Sequence, residues 1–198
     1  MFYDQSGNKF SIDFNLNKIN YQKRKATMGS EMISRALGAG RAGLRILDIS
    51  AGLAIDAVFL AQLGYKVTAL ERNPLVYLAL EHALNHCEGE FKNQLKFIYT
   101  SATDFLAVTP PEFDVIYFDP MFPEKVKSAL PRQEMVFFKN LVGDDADASD
   151  VLDQCIRFKG INRVVVKRPI KAVVLGLKPH SEVSGKLIRF DIYGVKNA

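Results

Sequence analysis

The chain has 198 residues and a formal net charge of +4, and 48% of its residues are hydrophobic, which is typical of a globular protein with one core. No apolar run approaches the roughly 18 residues of a membrane span, and the amino-terminal residues lack the features of a signal peptide, so we expect a cytoplasmic protein. Two cysteines, Cys87 and Cys155, lie far apart in the sequence and predict neither a disulfide framework nor a zinc site.

Short apolar segments that alternate with helical patterns run through the chain from Arg45 onward. Five of these segments are predicted strands, at residues 45–48, 65–70, 95–99, 114–118 and 163–167. Apolar residues at helical spacing predict helices over 54–63 and from Pro74, and a further helix with Ser149 or Asp150 as its cap. Near-continuous apolar strands separated by helices indicate a parallel sheet covered on both faces.

The parts on either side of this pattern differ from it. Residues 1–44 precede the first strand, and we interpret them as an N-terminal extension with a strand near Phe10–Phe14 and a helix near Glu31–Leu37. Residues 45–198 form the main predicted domain, which contains the sheet. Its last strand, near Leu187–Tyr193, is expected to be half of an antiparallel hairpin at the sheet edge.

The turn after the first predicted strand has features of an adenosine-binding site. Ser50, Ala51 and Gly52 are small and let a ligand approach the backbone, and the following helix offers free N–H groups. Glu71 ends the second predicted strand, where a carboxylate can accept hydrogen bonds from both ribose hydroxyls. A nicotinamide enzyme would also place an acid there, but its pyrophosphate normally needs several glycines in the turn. A tight connection that binds no ligand is a further alternative.

The segment after the fourth predicted strand is more specific. Asp119-Pro120-Met121-Phe122 resembles the Asp/Asn-Pro-Pro-Tyr/Phe motif of methylases that act on exocyclic base amines, with Met121 in place of the second proline. Such an amine is a poor nucleophile because its lone pair is delocalised into the ring. Asp119 and the Pro120 carbonyl can accept its two N–H hydrogens, and Phe122 can stack on the base. An ordinary proline turn after a strand is the alternative.

Several basic residues are candidates for contacts with a nucleic acid. Lys125 and Lys127 follow the Asp119 segment, where they can either meet a phosphate backbone or lie on a solvated surface. Lys167 and Arg168 end the fifth predicted strand. Their partner can be RNA phosphate or a buried acid such as Asp119, and the sequence leaves both interpretations open.

The charge is unevenly distributed along the chain. The formal net charge is +5 over residues 1–45 and +8 over residues 156–198, whereas residues 46–155 have a formal net charge of −9. Basic ends beside an acidic centre can bind a polyanion, although basic ends are also common on solvated surfaces.

Five segments together resemble one family. They are Leu70-Glu71-Arg72-Asn73-Pro74, Asp119-Pro-Met-Phe-Pro123, Lys127-Ser-Ala-Leu130, Val164-Val-Val-Lys-Arg-Pro169 and Arg189-Phe-Asp-Ile-Tyr193. With them the chain resembles the ribosomal RNA small subunit methyltransferase J family, from about Ile19 to Tyr193. The resemblance implies an α/β fold, the Rossmann-like class I S-adenosylmethionine-dependent methyltransferase fold. It also implies methyl transfer from S-adenosylmethionine to the N2 of a guanosine in 16S ribosomal RNA.

The resemblance also implies which residues form the site. Cofactor contacts fall on Ile55 and Asp56, Glu71 and Arg72, Ser101 and Ala102, and Asp119. The implied catalytic residues are Asp119, Pro120 and Phe122. The family usually has a basic residue where Ile55 stands, so only a backbone contact is expected there. The implied partner is 16S ribosomal RNA or the small ribosomal subunit, with no metal and no membrane.

Two other functions share part of this pattern. An adenine-N6 or cytosine-N4 methylase of DNA or RNA would carry the same kind of motif after the fourth strand. A nucleic-acid-binding relative that keeps the fold and lacks catalysis is the second alternative.

Overall fold

A computed structural model of the chain describes residues 2–3, 9–15, 29, 31–38, 43–108, 112–121 and 146–194. The described strands are β1 (Phe2–Tyr3), β2 (Lys9–Phe10), β3 (Arg45–Asp48), β4 (Lys66–Glu71), β5 (Leu95–Tyr99), β6 (Val115–Phe118), β7 (Arg163–Pro169), β8 (Ser181–Ser184) and β9 (Ile188–Gly194). The described helices are α1 (Met32–Leu37), α2 (Ile55–Gln62), α3 (Pro74–His86), α4 (Ala102–Val108) and α5 (Ala148–Arg157), with a short 3-10 helix over Glu90–Gln94. None of the helices in these ranges is long and apolar enough to cross a membrane.

Seven strands form one sheet in the order β5-β4-β3-β6-β7-β9-β8. The strands from β3 to β7 are parallel to one another, whereas β9 runs antiparallel to both β7 and β8. Because β3 pairs with β4 on one side and with β6 on the other, the strand order reverses at β3. In open α/β sheets such a reversal forms a crevice at the carboxyl ends of the strands, where ligands bind.

The central strands form because their residues are apolar on both sides and helices cover both faces of the sheet. Every residue of β6 is buried, and Val164, Val165 and Val166 of β7 are fully buried. Val165 belongs to the apolar cluster under α1, α2 and α3, whereas Val164 and Val166 belong to the cluster under α4 and α5. Successive residues of β7 therefore fill the two layers alternately, which suits β-branched side chains.

The segment before the parallel strands packs on the same core. Phe14 is buried, and its ring centroid lies 6.2 Å from that of Phe97 in β5. Helix α1 ends at Gly38, whose φ of 97° lies in the left-handed region that suits glycine. The Arg163 guanidinium donates a hydrogen bond to the Ala36 carbonyl at 2.8 Å. This bond links α1 to the start of β7.

The predicted cap of α5 is wrong. The helix begins at Ala148, with Asp147 as the residue before it, so Ser149 and Asp150 lie inside the first turn. The reason is that the Asp147 carbonyl accepts the Val151 N–H at 3.0 Å, which closes the first helical turn ahead of the predicted caps.

Two strands near the chain ends can be compared with their predictions. The strand expected at Phe10–Phe14 ends at Phe10. At the far end of the expected strand the chain turns, since the Asp13 carboxylate accepts the Asn15 N–H at 2.8 Å. The strand expected near Leu187–Tyr193 is confirmed as β9, and with β8 it forms the antiparallel hairpin at that edge of the sheet.

Candidate active site

The carboxyl ends of β3, β4, β5 and β6 surround a cleft that is open to solvent. The lining residues come from these strand ends and from the starts of α4 and α5. They are Ile49, Ser50, Gly52, Leu70, Glu71, Arg72, Thr100, Ser101, Ala102, Thr103, Phe118, Asp119, Met121, Asp147 and Val151.

The turn between β3 and α2 presents its backbone to the cleft. Gly52 and Ala54 have φ angles of 53° and 55°, in the left-handed region where a side chain is strained. The Ala51 N–H donates to the Leu70 carbonyl at 3.0 Å, and the Gly52 N–H donates to Oε2 of Glu71 at 3.1 Å. The turn is therefore tied to the end of β4 at two points.

Glu71 is held between two loops. Its Oε2 accepts the Gly52 N–H, and its Oε1 accepts the Asn73 N–H at 2.7 Å. The residue is 5% exposed. Burial raises the pKa of Glu71 above its ordinary value, while the N–H groups of Asn73 and Gly52 act in the opposite direction. Each carboxylate oxygen has two lone pairs, so this fixed carboxylate can accept further hydrogen bonds from a ligand.

Asp119 follows β6 and lines the same cleft. Its backbone N–H donates to the Ser50 hydroxyl oxygen at 2.7 Å, and its Oδ2 accepts a hydrogen bond from the Lys167 ammonium at 2.8 Å. Phe118 and Pro120 on either side are buried. The Asp119 side chain itself is 37% exposed. The carboxylate is therefore held from the protein side and stays accessible to a ligand.

Lys167 connects Asp119 to a second carboxylate. Its Nζ lies 2.7 Å from Oδ2 of Asp56, and the Tyr117 hydroxyl donates to the same oxygen at 2.6 Å. Burial lowers the pKa of Lys167, but the charges of Asp119 and Asp56 together outweigh burial and raise that pKa above its ordinary value. Burial, with the charge of Asp56, raises the pKa of Tyr117 well above its ordinary value, so the phenol stays protonated.

Asp48 is a buried acid at the end of β3. Its Oδ1 accepts the backbone N–H and the hydroxyl of Ser50, at 2.9 and 3.2 Å. Burial raises the pKa of Asp48 to about 7. The hydrogen bond from the Ser50 N–H lowers this pKa, and the charge of Asp56 raises it further. Ser50 thus links Asp48 to the backbone of Asp119. In the described part of the chain, no three His, Cys, Asp or Glu side chains are arranged to hold a metal ion.

Most of the predicted cofactor residues line the cleft. They are Glu71, Arg72, Ser101, Ala102 and Asp119. At the rim, the Arg72 guanidinium lies 3.5 Å from the Asp147 carboxylate. The Ser101 hydroxyl donates to the Asp104 carboxylate at 2.7 Å, so Asp104 supports a lining residue without lining the cleft itself.

Of the other predicted site residues, the structure describes Ile55, Asp56 and Pro120. Ile55 is exposed at the start of α2, and neither Ile55 nor Asp56 lines the cleft. The Asp56 carboxylate instead contacts Lys167. Pro120 is buried beside the lining. Phe122 and the lysines that follow it lie outside the described residues.

Sequence reasoning missed part of the cleft wall. Thr100 and Thr103 flank the predicted pair at the end of β5, and their position after a strand could have indicated them. Asp147 and Val151 come from the start of α5. No sequence signal placed that helix at the cleft, because the segment before it has no regular pattern.

Comparison with known proteins identifies the family. Residues 3–195 match a family model described as "Putative SAM-dependent methyltransferase". A curated relative from Bdellovibrio bacteriovorus, named ribosomal RNA small subunit methyltransferase J, is 41% identical over 194 residues, which are 97% of this chain and 77% of the relative. The chain belongs to the methyltransferase J family. A relative of the same name from Marinobacter nauticus is 38% identical, over 93% of this chain and 69% of the relative.

A solved structure agrees with this assignment. A SAM-dependent methyltransferase from Neisseria gonorrhoeae superposes with a TM-score of 0.74 at 30% identity, over 97% of this chain and 78% of that chain. The predicted Rossmann-like class I methyltransferase fold and the predicted membership of the methyltransferase J family are confirmed. The protein is an enzyme that uses S-adenosylmethionine as its methyl donor.

Proposed function

We propose that this member of the methyltransferase J family methylates the N2 amine of a guanosine in 16S ribosomal RNA, in the cytoplasm. The observation that carries the proposal is the Asp119 carboxylate, which is fixed by Ser50 and Lys167 at an open cleft. The relatives' name supports ribosomal RNA of the small subunit as the substrate. The substrate is either this RNA alone or the small subunit that contains it.

Asp119 and Pro120 are proposed to hold the amine of the base. The lone pair of an exocyclic amine is delocalised, and two acceptors on its N–H groups favour a pyramidal nitrogen whose lone pair is available. The Asp119 carboxylate and the Pro120 carbonyl supply these acceptors. Proline has no N–H, so this turn presents no competing donor at that position. Phe122 is proposed to stack on the base.

Glu71 is proposed to bind the cofactor ribose. S-adenosylmethionine, when bound, would supply a methyl group whose carbon–sulfur bond breaks with the electron pair remaining on sulfur; the amine lone pair forms the new nitrogen–carbon bond, and the amine then loses one proton to the Asp119 carboxylate or to water. The Glu71 oxygens are held by two N–H groups and can accept the ribose hydroxyls without reorganising. The Asp119 carboxylate at the cleft favours the positive charge of the sulfonium. The single glycine of the turn, Gly52, is sufficient because this cofactor has no phosphate.

The remaining cofactor contacts are proposed at two places. Arg72, Ser101 and Ala102 line the cleft with Glu71, and the adenine is proposed to lie against them. Ile55 and Asp56 begin α2, whose first N–H groups have no partner within the helix. Because the Asp56 carboxylate is paired with a lysine, both residues are proposed to contact the cofactor through the backbone.

Variants of Asp119 test this proposal. Asp119→Asn keeps one acceptor oxygen and loses the charge, so it should retain part of the activity. Asp119→Ala should slow methyl transfer by about 10²–10³-fold, because it removes a preorganised polar partner. The measurement is the single-turnover rate with saturating S-adenosylmethionine and with small subunits that lack the modification.

Glu112→Ala is a matched control, since Glu112 is an exposed carboxylate before the amino end of the same strand. It should react at the wild-type rate. If folded Asp119→Ala also transfers methyl at the wild-type rate, Asp119 does not hold the amine and the proposed chemistry is wrong.

A further inference from the structure

Four side chains at the carboxyl edge of the sheet form a polar cluster, the Lys167 cluster: Lys167, Asp56, Tyr117 and Asp119. The Lys167 ammonium lies 2.7 Å from Oδ2 of Asp56 and 2.8 Å from Oδ2 of Asp119. The Tyr117 hydroxyl donates to the same Asp56 oxygen. Of the four, Asp119 alone lines the cleft, so the other three support it from the protein side.

Three elements bring the Lys167 cluster together. Tyr117 in β6 lies beside Val165 in β7, so Tyr117 and Lys167 extend from the same face of the sheet. Asp56 lies in the first turn of α2, which packs on that face. Phe190 in β9 is the register partner of Lys167, and its ring contacts that of Tyr117. Lys167, Tyr117 and Phe190 therefore lie on one face of the sheet, and the start of α2 packs on that face.

Lys167 lies among three aspartates, whose negative charges need a cation between them. Asp48, Asp56 and Asp119 come from β3, α2 and the end of β6, and Tyr117 stays protonated. The Lys167 ammonium contacts two of these three acids. Without it, neighbouring carboxylates would repel one another, and the Asp119 carboxylate would take up a proton more readily.

We propose that Lys167 is a positioning residue for methyl transfer, which keeps the Asp119 carboxylate ionised and in one orientation at the cleft. This proposal rests on the proposed function, in which Asp119 accepts an N–H of the substrate amine. The Asp56 carboxylate, which accepts a hydrogen bond from Tyr117, contacts the Lys167 ammonium as well. This second contact keeps Lys167 in place against Asp119. A fixed acceptor matters because a misplacement of about 1 Å can cost about 10²-fold in rate.

The same contacts argue against Lys167 as a ligand of RNA phosphate. Its ammonium already contacts two carboxylate oxygens, and Lys167 does not line the cleft. A phosphate that displaced one of these contacts would leave a partly buried carboxylate of Asp56 or Asp119 without its cation, which is costly.

Two substitutions separate charge from packing. Lys167→Met removes the charge and keeps a chain of similar length, whereas Lys167→Arg keeps the charge. Lys66→Met is the matched control, because Lys66 is exposed at the amino end of β4, away from the cleft. Each variant is assayed for single-turnover methyl transfer across pH at saturating cofactor and saturating subunits. S-adenosylmethionine affinity, thermal unfolding and the salt dependence of RNA binding are measured on the same preparations.

Lys167→Met should slow methyl transfer by about 10²-fold. On acidification, the rate of Lys167→Met should begin to decline at a higher pH than the wild-type rate, because the Asp119 carboxylate has lost the cation that favours its ionised form. Lys167→Arg should restore most of the rate and the wild-type pH profile. Lys66→Met should match the wild type, and the salt slope of RNA binding should be unchanged in all variants.

Three results would overturn the proposal. The first is a wild-type rate for folded Lys167→Met. The second is an equal loss in the Met and Arg variants with an unshifted pH profile, which would indicate packing alone. The third is an RNA-binding salt slope reduced by about one unit in Lys167→Met, which would indicate a phosphate contact. If Asp119→Ala is slow while Lys167→Met is normal, this inference alone fails; if Asp119→Ala is normal, the proposed function fails as well.

Discussion

At the residue scale, Glu71 determines how tightly the cofactor is expected to bind. Both of its oxygens already accept N–H groups, from Gly52 and Asn73, so the carboxylate has one orientation. Glu71→Ala should weaken S-adenosylmethionine binding by about 1.5–3 kcal/mol, the range for a hydrogen bond to a charged group. Titration calorimetry on the folded variant measures this difference. An unchanged affinity for S-adenosylmethionine would show that Glu71 does not bind the cofactor.

The raised pKa of Glu71 gives this binding a pH dependence. The ionised carboxylate accepts the ribose hydroxyls, so affinity is full above the raised pKa and falls as the pH drops through it. The fall should begin at a higher pH than for an exposed glutamate. Asp48 has a pKa of about 7 and can add its own dependence. The affinity of Glu71→Ala for S-adenosylmethionine, measured at each pH, should keep the part of the pH dependence that Asp48 contributes and lose the part that Glu71 contributes. An identical pH profile in the variant and the wild type would contradict the role of Glu71.

Residues at strand ends could be predicted from the sequence, and the contact of Lys167 with Asp119 was one of two partners that the sequence left open. Glu71 and Asp119 each follow an apolar run, and the carboxyl ends of parallel strands meet at one edge. The pairing of Lys167 with Asp56 joins residues 111 positions apart. It depends on the register of β7 against β6 and on the packing of α2, neither of which a single sequence specifies.

At the element scale, Asn73 fixes the start of α3. Its side chain accepts the N–H groups of Leu75 and Val76 at 3.0 and 3.2 Å, and Pro74 takes the first helical position. Asn73→Ala should lower the free energy of unfolding by about 1 kcal/mol. Asn73→Asp should retain most of the stability, because a carboxylate can accept the same two N–H groups.

Urea unfolding of the Asn73 variants measures this effect, and cofactor affinity is the control. The backbone N–H of Asn73 still donates to Glu71 in both variants, so affinity should change little. Equal unfolding free energies for Asn73→Ala and the wild type would contradict the capping role.

Elements with a strong apolar pattern were predictable, and short or exposed ones were not. The predicted strands 45–48 and 95–99 have the bounds of β3 and β5. Helix α4 was missed because Leu106 is its one buried residue, so it has almost no periodic signal. The first and last residues of strand β8 were not predicted from the sequence, because none of its residues is fully buried.

At the scale of the whole molecule, the strand order brings the predicted chemistry to one edge. The alternation of strands and helices predicted a parallel sheet, and the reversal at β3 sets the ends of β3, β4 and β6 side by side. The insertion of β9 between β7 and β8 could not be predicted, since alternation does not specify strand order. The division into an N-terminal extension, residues 1–44, and a main domain, residues 45–198, stays a prediction. Helix α1 of the extension packs on β7, β8 and β9.

The identity of the methylated nucleoside tests the central claim most directly. Small subunits from cells that lack the modification are incubated with the enzyme and labelled S-adenosylmethionine, and the RNA is digested and analysed by mass spectrometry. We expect the label in N2-methylguanosine, with little or none when Asp119→Ala replaces the wild type. Label in N6-methyladenosine or N4-methylcytidine, or no transfer to the RNA, would contradict the proposed guanine chemistry.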